Sequence, residues 1–400
     1  KLYLIDIILV FTFIATFVKN KINQKNKFVF DWPEKLLFAF IFLSALYLIR
    51  ALIDVNADFA VAFSSFKNYF FYPLIYFLTV AVLNTKEKVV KTAQLILLTA
   101  VGLIVFVFIG FINGGGLWTE FTPLSTPGIR YLAGTHAFYM LIALILSISL
   151  LIYKQVRTPL FALAVIALWS LGIQLSLMRH LWLALGFALI FILALVELPA
   201  KKIFLTYAIK TGLFFSALLM ILILIFNLTY ISGSTTGLYS TFSGVSDRIL
   251  SVTELDEDTS ASWRSDVWSQ AQKKWQQNPL LGIGFGHSVL IDKDDWRTFE
   301  EIRNIHNSPL TITIQMGLVG ITFLILFVSS VIYLAWRNFQ KLPELKPYYI
   351  GFTAIIIAFI ISSLFQPYLE TNLMGIWFWL TLGIIRAMTL INKDYENTSN

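Results

Sequence analysis

The chain has 400 residues, of which 58% are hydrophobic and only 13% are charged. Because about a quarter of the residues of a soluble domain are charged, this composition indicates an integral membrane protein. The formal net charge is +7, but the placement of the basic residues described below excludes a nucleic-acid-binding surface. The chain contains no cysteine, which excludes disulfides, thiolate metal sites and a thiol nucleophile.

Long apolar runs predict an all-α, polytopic membrane helix bundle, since a spanning helix needs about 20 apolar residues. Eleven runs qualify, at 2–18, 36–55, 68–83, 92–112, 135–153, 160–178, 181–198, 203–230, 309–336, 348–366 and 371–391. The chain begins at Lys1 and not at methionine, so we expect a longer protein with about twelve helices.

The predicted spans divide the chain into four parts. Residues 1–231 contain helices one to eight, residues 232–305 form one large loop, residues 306–391 contain helices nine to eleven, and residues 392–400 form a tail. We expect the large loop to lie outside the cell membrane and the tail to lie in the cytoplasm, because of the charge distribution.

Lysine and arginine are unequally divided between the two sides of the predicted bundle. One set of connections holds seventeen of them, whereas the short connections on the other side hold only Lys67, Arg130 and Arg179. Basic residues concentrate in cytoplasmic loops, so we expect the second side to be external. The large loop lies on that side and carries 7 basic and 11 acidic residues, a net charge of −4. The positive charge of the chain is therefore a topology signal.

An amphipathic helix is predicted within the large loop, over Ser262–Gln277, and Asn278-Pro279 ends it. Arg264 and Trp268 share one stripe of this helix. The neighbouring stripe carries apolar residues at helical spacing, namely Trp263, Val267, Ala271 and Trp275. A helix with three tryptophans next to a membrane is expected to lie in the interface or to fold over the bundle.

Three ionisable residues on the predicted external side are candidates for chemistry. Arg179 lies between two spans with almost no loop, where a guanidinium suits phosphate oxygens, although it could also reach lipid headgroups. Arg264 could bind a ligand or pair with one of the loop's acids. His306 lies where the loop re-enters the membrane; it is a natural neutral base, although a lone histidine is more often structural.

These residues lie within a pattern that resembles the signature region of the O-antigen ligase and polymerase superfamily. His306-Asn307 is followed by nine residues, a glycine, two residues and a second glycine, as in the family's histidine motif. The other matching elements are Arg264 to Trp268, Asn278 to Gly284, Gly317 to Gly320, and Arg179 with Leu183 as an Arg-x-x-x-Leu element.

The resemblance implies a membrane-embedded glycosyltransferase of the class C type, involved in lipopolysaccharide biosynthesis. Such proteins are multi-pass proteins of the bacterial inner membrane, with the active site on the periplasmic side. They transfer a glycan from undecaprenyl pyrophosphate to an acceptor, which is lipid A-core for ligases, a lipid-linked repeat for polymerases, and a serine or threonine hydroxyl for protein-glycosylating relatives. We expect the ligase reaction, with inversion and with no cofactor or metal.

The resemblance also assigns roles to the candidate residues. Arg179 and Arg264 would bind the pyrophosphate, whose negative charge grows as it leaves. His306 would accept the proton of the attacking hydroxyl, or would only orient or stabilise the phosphate. Asn307, beside it, is a candidate for substrate binding. Lys67 and Arg130 are weaker candidates for contact with phosphate or lipid headgroups. The alternatives are a polysaccharide polymerase and, from another class, a transporter of lipid-linked glycans, although we find no internal repeat.

Overall fold

The computed structural model describes residues 4–23, 30–112, 134–156, 158–176, 178–213, 259–293, 296–341 and 343–399. The chain divides into two compact units. The first unit combines Lys1–Val90 with Ser260–Asn400, and the second unit is Lys91–Thr259.

The first unit is built mainly from helices that pack in sequence-distant pairs. Its helices are α1 (Leu4–Asn23), α2 (Trp32–Ile53), α3 (Phe59–Phe66), α4 (Leu74–Val82), α9 (Thr259–Trp275), α10 (Ser308–Asn338), α11 (Lys346–Ser363) and α12 (Asn372–Ser399). A π-helical turn, Lys67–Phe71, separates α3 from α4, so this stretch is not a single regular helix. Helix α12 packs on α4, α10 packs on α2, and α10 and α11 both pack on α12.

The second unit is built from apolar helices that pack on one another. Helix α5 (Lys86–Ile112) leads into it, followed by α6 (Gly134–Ile152), α7 (Pro159–Leu175) and α8 (Arg179–Leu195). Helix α6 packs against both α7 and α8 and is buried along most of its length. Residues 198–213 are also helical.

Within the described ranges, six helices are long and apolar enough to cross a membrane, by length and composition. They are Trp32–Ile53, Lys86–Phe106, Gly134–Ile152, Ser308–Asn338, Lys346–Ser363 and Asn372–Ile391. Shorter apolar helices cover Asp6–Thr16, Pro159–Gln174 and Arg179–Leu195. The predicted all-α, multi-pass membrane fold is therefore confirmed.

The large loop contains more regular structure than the sequence indicated. The tryptophan-rich helix occurs as predicted, as α9. Two strands that were not predicted follow it, β1 (Ser288–Lys293) and β2 (Trp296–Glu301), which pair as an antiparallel hairpin. A 3-10 turn, Ile302–Asn304, then leads to α10. Residues 214–258, which include the start of the predicted loop, lie outside the described residues.

Candidate active site

Residues 259–293 and 296–305 belong to the loop that is predicted to lie outside the membrane. They fold into a small layer, the extramembrane layer, that packs on α10. Its apolar core combines one face of α9, the inner face of the hairpin and the 3-10 turn with Ile314 of α10. Because strand side chains alternate, only every second residue of β1 enters this core. The core residues are Val267, Ala271, Val289, Ile291, Ile302, Ile305 and Ile314, with Trp263, Trp268 and Trp275 packed around them. This layer positions the end of the loop against the membrane helices.

His306 occupies the junction between this layer and α10, in a constrained backbone conformation. Its φ is +57°, in the left-handed region that non-glycine residues seldom adopt. The indole Nε1 of Trp268 donates a hydrogen bond of 2.7 Å to the carbonyl oxygen of the preceding Ile305. The Trp263 ring meets the imidazole edge-on, with centroids 5.2 Å apart. Two tryptophans of α9 therefore fix the position of this histidine.

The surroundings of His306 favour a neutral imidazole. Burial and then the nearby positive charge of Arg264 lower its pKa from 6.5 to about 4. Its Nδ1 atom is buried and makes no hydrogen bond to any described residue. A neutral imidazole with an unsatisfied ring nitrogen can accept or donate one hydrogen bond to a bound molecule. Arg264 and His306 thus form one electrostatically coupled pair within the first unit.

Asn307, predicted to contact substrate, has a structural role in the described site. It is the N-cap of α10, and its side-chain oxygen accepts a 2.9 Å hydrogen bond from the backbone N–H of Leu310. Pro309 follows in the first turn, where its missing N–H costs nothing. These two residues start the helix immediately after His306.

Gly317, the first glycine of the family's histidine motif, lies at a break in α10. Its φ is 67° and its ψ is −172°. The break frees the carbonyl oxygens of Ile314 and Gln315, which accept hydrogen bonds of 2.9 and 3.0 Å from the N–H groups of Ile283 and Gly284. A Cβ atom on Gly317 would overlap the carbonyl oxygen of Leu280. Only glycine fits such a close backbone approach at positive φ.

The 279–284 segment also satisfies the donors on the far side of the break. The N–H groups of Leu318 and Val319 donate to the carbonyl oxygens of Pro279 and Leu280, at 3.0 and 3.2 Å. Arg50 of α2 further holds the segment through a 3.1 Å hydrogen bond to the carbonyl of Gly282. Interrupted helices in membranes need this kind of backbone pairing. The Asn278–Gly284 motif therefore braces α10, the helix that follows His306.

A buried carboxyl that sequence reasoning missed lies beside the helix start. Glu370, in the connection between α11 and α12, accepts hydrogen bonds from the hydroxyls of Tyr69 and Ser308. The side-chain amide of Asn68 donates a 2.7 Å hydrogen bond to the backbone carbonyl oxygen of Glu370. Burial, outweighing these hydrogen bonds, raises the pKa of Glu370 from 4.5 to about 7. A lone acid between two apolar runs was the available sequence signal, since such groups are rare near membranes.

The remaining predicted site residues lie elsewhere. Arg179 is the first residue of α8, in the second unit. Lys67 was expected in a short loop, but this placement is wrong: it is 4% exposed in the π-helical turn, and its Nζ lies 3.0 Å from a carboxylate oxygen of Asp6. A buried ammonium needs such a partner. Arg130 lies outside the described residues.

The described residues contain no group of three or more His, Asp or Glu side chains that could hold a metal ion. The acidic stretch at 256–258 and residues 294–295 lie outside the described ranges. Metal independence therefore stays a prediction.

Comparison with known proteins supports the class that this site indicates. A family model described as O-Antigen ligase matches residues 165–325, which include Arg179, Arg264 and His306. This match confirms the predicted resemblance to the O-antigen ligase superfamily and supports a membrane glycosyltransferase of the ligase or polymerase type.

One curated relative gives no further functional information. The chain is 26% identical over 205 residues to an uncharacterized protein of Haemophilus influenzae. The aligned region is 49% of this chain and 48% of that protein, so the chain spans about half the length of this relative.

Proposed function

We propose that this protein is an O-antigen ligase-type glycosyltransferase of the bacterial inner membrane. It would transfer a glycan from undecaprenyl pyrophosphate to lipid A-core at the periplasmic face, without a metal. The observation that carries the proposal is the coupled pair of Arg264 and His306, a fixed cation beside a neutral imidazole with an unsatisfied nitrogen. The family match over this region supports the same chemistry.

The pair supplies the two functions that glycan transfer from a pyrophosphate donor needs. The bond between the anomeric carbon and the donor phosphate breaks, and its electron pair leaves on the pyrophosphate. The acceptor hydroxyl forms the new bond to the anomeric carbon and loses its proton. A guanidinium stabilises the charge on the leaving group, and Arg264 takes this role, with Arg179 as the second predicted contact.

His306 would accept or orient the proton of the acceptor hydroxyl. Its lowered pKa keeps the ring neutral at physiological pH, which is the form that accepts a proton. The lowered pKa also makes His306 a weak base before the donor binds. A bound pyrophosphate would offset the charge of Arg264, so the pKa of His306 would rise when the donor arrives. In this way donor binding prepares the base.

A transfer assay in liposomes tests the proposal. The purified protein is incubated in EDTA with an undecaprenyl-pyrophosphate glycan and lipid A-core, and the products are separated by mass. Modified lipid A-core establishes the ligase reaction and its metal independence. Extension of the donor without modified core would make the protein a polymerase, the second candidate. Movement of the glycolipid between leaflets with no covalent product would contradict the proposal in favour of a transporter.

The His306→Ala variant tests the assigned base in the same assay. We expect a loss of about 100-fold or more, which is typical when a proton-transfer group is removed. The matched control is His287→Ala, because His287 lies in the same extramembrane layer but has its Nε2 3.2 Å from Asp54. The control should retain activity within a few-fold. Equal losses in the two variants would refute the assignment.

A further inference from the structure

A row of buried polar side chains extends from the start of α10 into the first unit. Ser308, Thr311 and Gln315 recur at helical spacing on one face of α10, and all three are fully buried. This face meets the end of α3, because the Gln315 amide donates a 3.4 Å hydrogen bond to the Ser65 hydroxyl. Buried polar side chains are costly unless they are hydrogen-bonded.

Glu370 is the acidic group of this row, and it contacts the turn that carries His306. Ser308 follows His306 by two residues, and its hydroxyl donates to Glu370. The same Ser308 oxygen accepts a 3.1 Å hydrogen bond from the backbone N–H of Leu369. The connection between α11 and α12 is thereby bonded twice to the first residue of α10. A displacement of this connection would move the His306 turn.

No ion pair neutralises Glu370 within the part of the chain that the structure describes. The titratable or charged groups that act on its carboxyl are Tyr69 of the π-helical turn and Arg303 of the 3-10 turn. Arg303 lowers the pKa only weakly, because its Nε is 2.6 Å from Glu301. Glu370 is held instead by two hydroxyl groups, which can reorient when its proton is gained or lost.

We propose that Glu370 is a positioning residue for His306, and that its protonation state sets the orientation of the Ser308 turn and hence the rate of transfer. This inference rests on the proposed function, because it acts on the assigned base. It adds a residue from a connection that lies outside the 165–325 family match.

The hydrogen bonds around Ser308 explain how one proton could act there. An ionised Glu370 only accepts, so the Ser308 hydroxyl must donate to it. A protonated Glu370 can donate to Ser308. The Ser308 hydroxyl can then donate its own hydrogen bond to the backbone carbonyl oxygen of Gln366, 3.3 Å away. The raised pKa of Glu370, about 7, puts this exchange near neutral pH. The start of α10 is then held in two different ways.

The test compares Glu370→Gln and Glu370→Ala with the wild type in the transfer assay across pH 6–8. In the wild type we expect kcat to change near pH 7, where Glu370 titrates. Glutamine resembles the protonated acid, so this change should be absent from Glu370→Gln, while the KM for donor stays within a few-fold. Alanine removes both hydroxyl contacts, and kcat should fall about 10- to 100-fold, as for a misplaced catalytic group. A purely structural role would lower the folded fraction without changing the pH profile.

Two further measurements make the test decisive. The matched control is Glu300→Gln, because burial also raises the pKa of Glu300. Glu300 lies on β2, away from the Ser308 turn, so the pH profile of this variant should equal that of the wild type. Infrared difference spectra should show a protonated carboxyl band that titrates near pH 7 in the wild type and is absent in Glu370→Gln. This readout does not need activity.

The outcomes separate this inference from the proposed function. A wild-type enzyme that transfers glycan, together with an unchanged pH profile or an unchanged carboxyl band in Glu370→Gln, would overturn the role of Glu370 alone. A wild-type protein that transfers no glycan would refute the proposed function, and the positioning role would fall with it.

Discussion

Two of the buried carboxyl clusters in the first unit, around Glu34 and around Glu370, differ in how completely their polar groups are paired. In the first cluster, one carboxylate oxygen of Glu34 accepts two hydrogen bonds of 2.8 Å, from Arg386 Nε of α12 and from the Tyr76 hydroxyl. Its second oxygen accepts from Arg386 and from the backbone N–H of Asp31, at 3.2 and 3.0 Å. Arg386 also pairs with the Asp31 carboxylate at 2.7 Å. Every charge in this cluster has an opposite charge beside it.

The second cluster, around Glu370, lies about 20 Å away along the axis of α12. Its carboxyl has hydroxyl partners and no ion pair among the described residues. Buried atoms in this part of the unit that make no hydrogen bond to any described residue include Asn68 Oδ1, Gln315 Oε1 and His306 Nδ1. Unsatisfied buried polar atoms are few in native proteins and call for a specific explanation.

The difference separates a structural cluster from a functional one. A fully paired cluster such as Glu34–Arg386 has no capacity left to bind a ligand, so it contributes only to the fold. The His306 region keeps unsatisfied atoms and shifted pKa values, which are typical of sites that bind or transfer protons. The following changes test this contrast in order of decreasing effect.

The largest effect should come from breaking the paired cluster. Glu34→Gln leaves the Arg386 charge incompletely compensated inside the bundle, so we expect the free energy of unfolding to fall by about 3–5 kcal/mol. Unfolding of the reconstituted protein measures it. The comparison is Glu370→Gln, which removes no ion pair and should cost much less. Equal costs would remove the distinction between the clusters.

Removal of the cation beside His306 should act on the reaction. Arg264→Gln is expected to lower the transfer rate about 100- to 1,000-fold, as when one donor to a developing anion is lost. It should also raise the pKa of His306, because the positive charge that lowers it is gone. Rates and a histidine NMR titration measure the two effects.

The control for Arg264 is Arg297→Gln on β2. Arg297 is 65% exposed and pairs only loosely with Asp292, at 3.6 Å. Exposed pairs of this kind contribute little, so the rate should stay near that of the wild type. A comparable loss in both variants would indicate a general effect of charge on the extramembrane layer.

The broken helix gives a smaller effect on stability. Gly317→Ala places a side chain at φ 67° against a backbone carbonyl, so we expect a loss of about 1–3 kcal/mol and a lower transfer rate, because the brace on the His306 helix shifts. Gly186→Ala is the control, since nothing lies within 4 Å of its added methyl in α8. The control should be neutral or slightly stabilising.

The smallest effect is the pH dependence that His306 adds to stability. Its pKa is lowered from 6.5 to about 4 in the folded protein, so the neutral form is favoured by folding. The contribution is fully present above pH 6.5 and is lost as the pH falls through about 4. We expect about 1–2 kcal/mol after solvent screening. Because glutamine does not titrate, the wild type should lose stability relative to His306→Gln as the pH falls from 6.5 to about 4; a stability difference that stays constant over this range would contradict the low pKa.

Several of these features could be predicted from the sequence because their signals are local. Apolar runs defined the membrane fold, and the spacing of Trp263, Val267 and Trp275 defined the helix α9 that now contacts His306. The family motif singled out both His306 and Gly317. Each of these signals depends on neighbours within a few turns of one element.

The missed features depend on contacts between distant residues. Ser308 and Glu370 are 62 positions apart, so no local pattern joins them. The break at Gly317 lies within a continuous apolar run, where periodicity is the same on both sides. The hairpin is short and strongly charged around Asp292, which resembles a solvated loop. Lys67 was placed in a connection because the π-helical turn that buries it has no sequence signature of its own.

The most direct test of the account is the transfer rate per folded molecule of His306→Ala and Glu34→Gln, measured at one pH in the same liposomes. We expect opposite results for the two variants. His306→Ala should lose about 100-fold or more in rate while keeping its melting temperature, and Glu34→Gln should melt earlier while each folded molecule transfers glycan at nearly the wild-type rate. Loss of rate per folded molecule in Glu34→Gln, or an active His306→Ala, would contradict the division into a structural and a catalytic cluster.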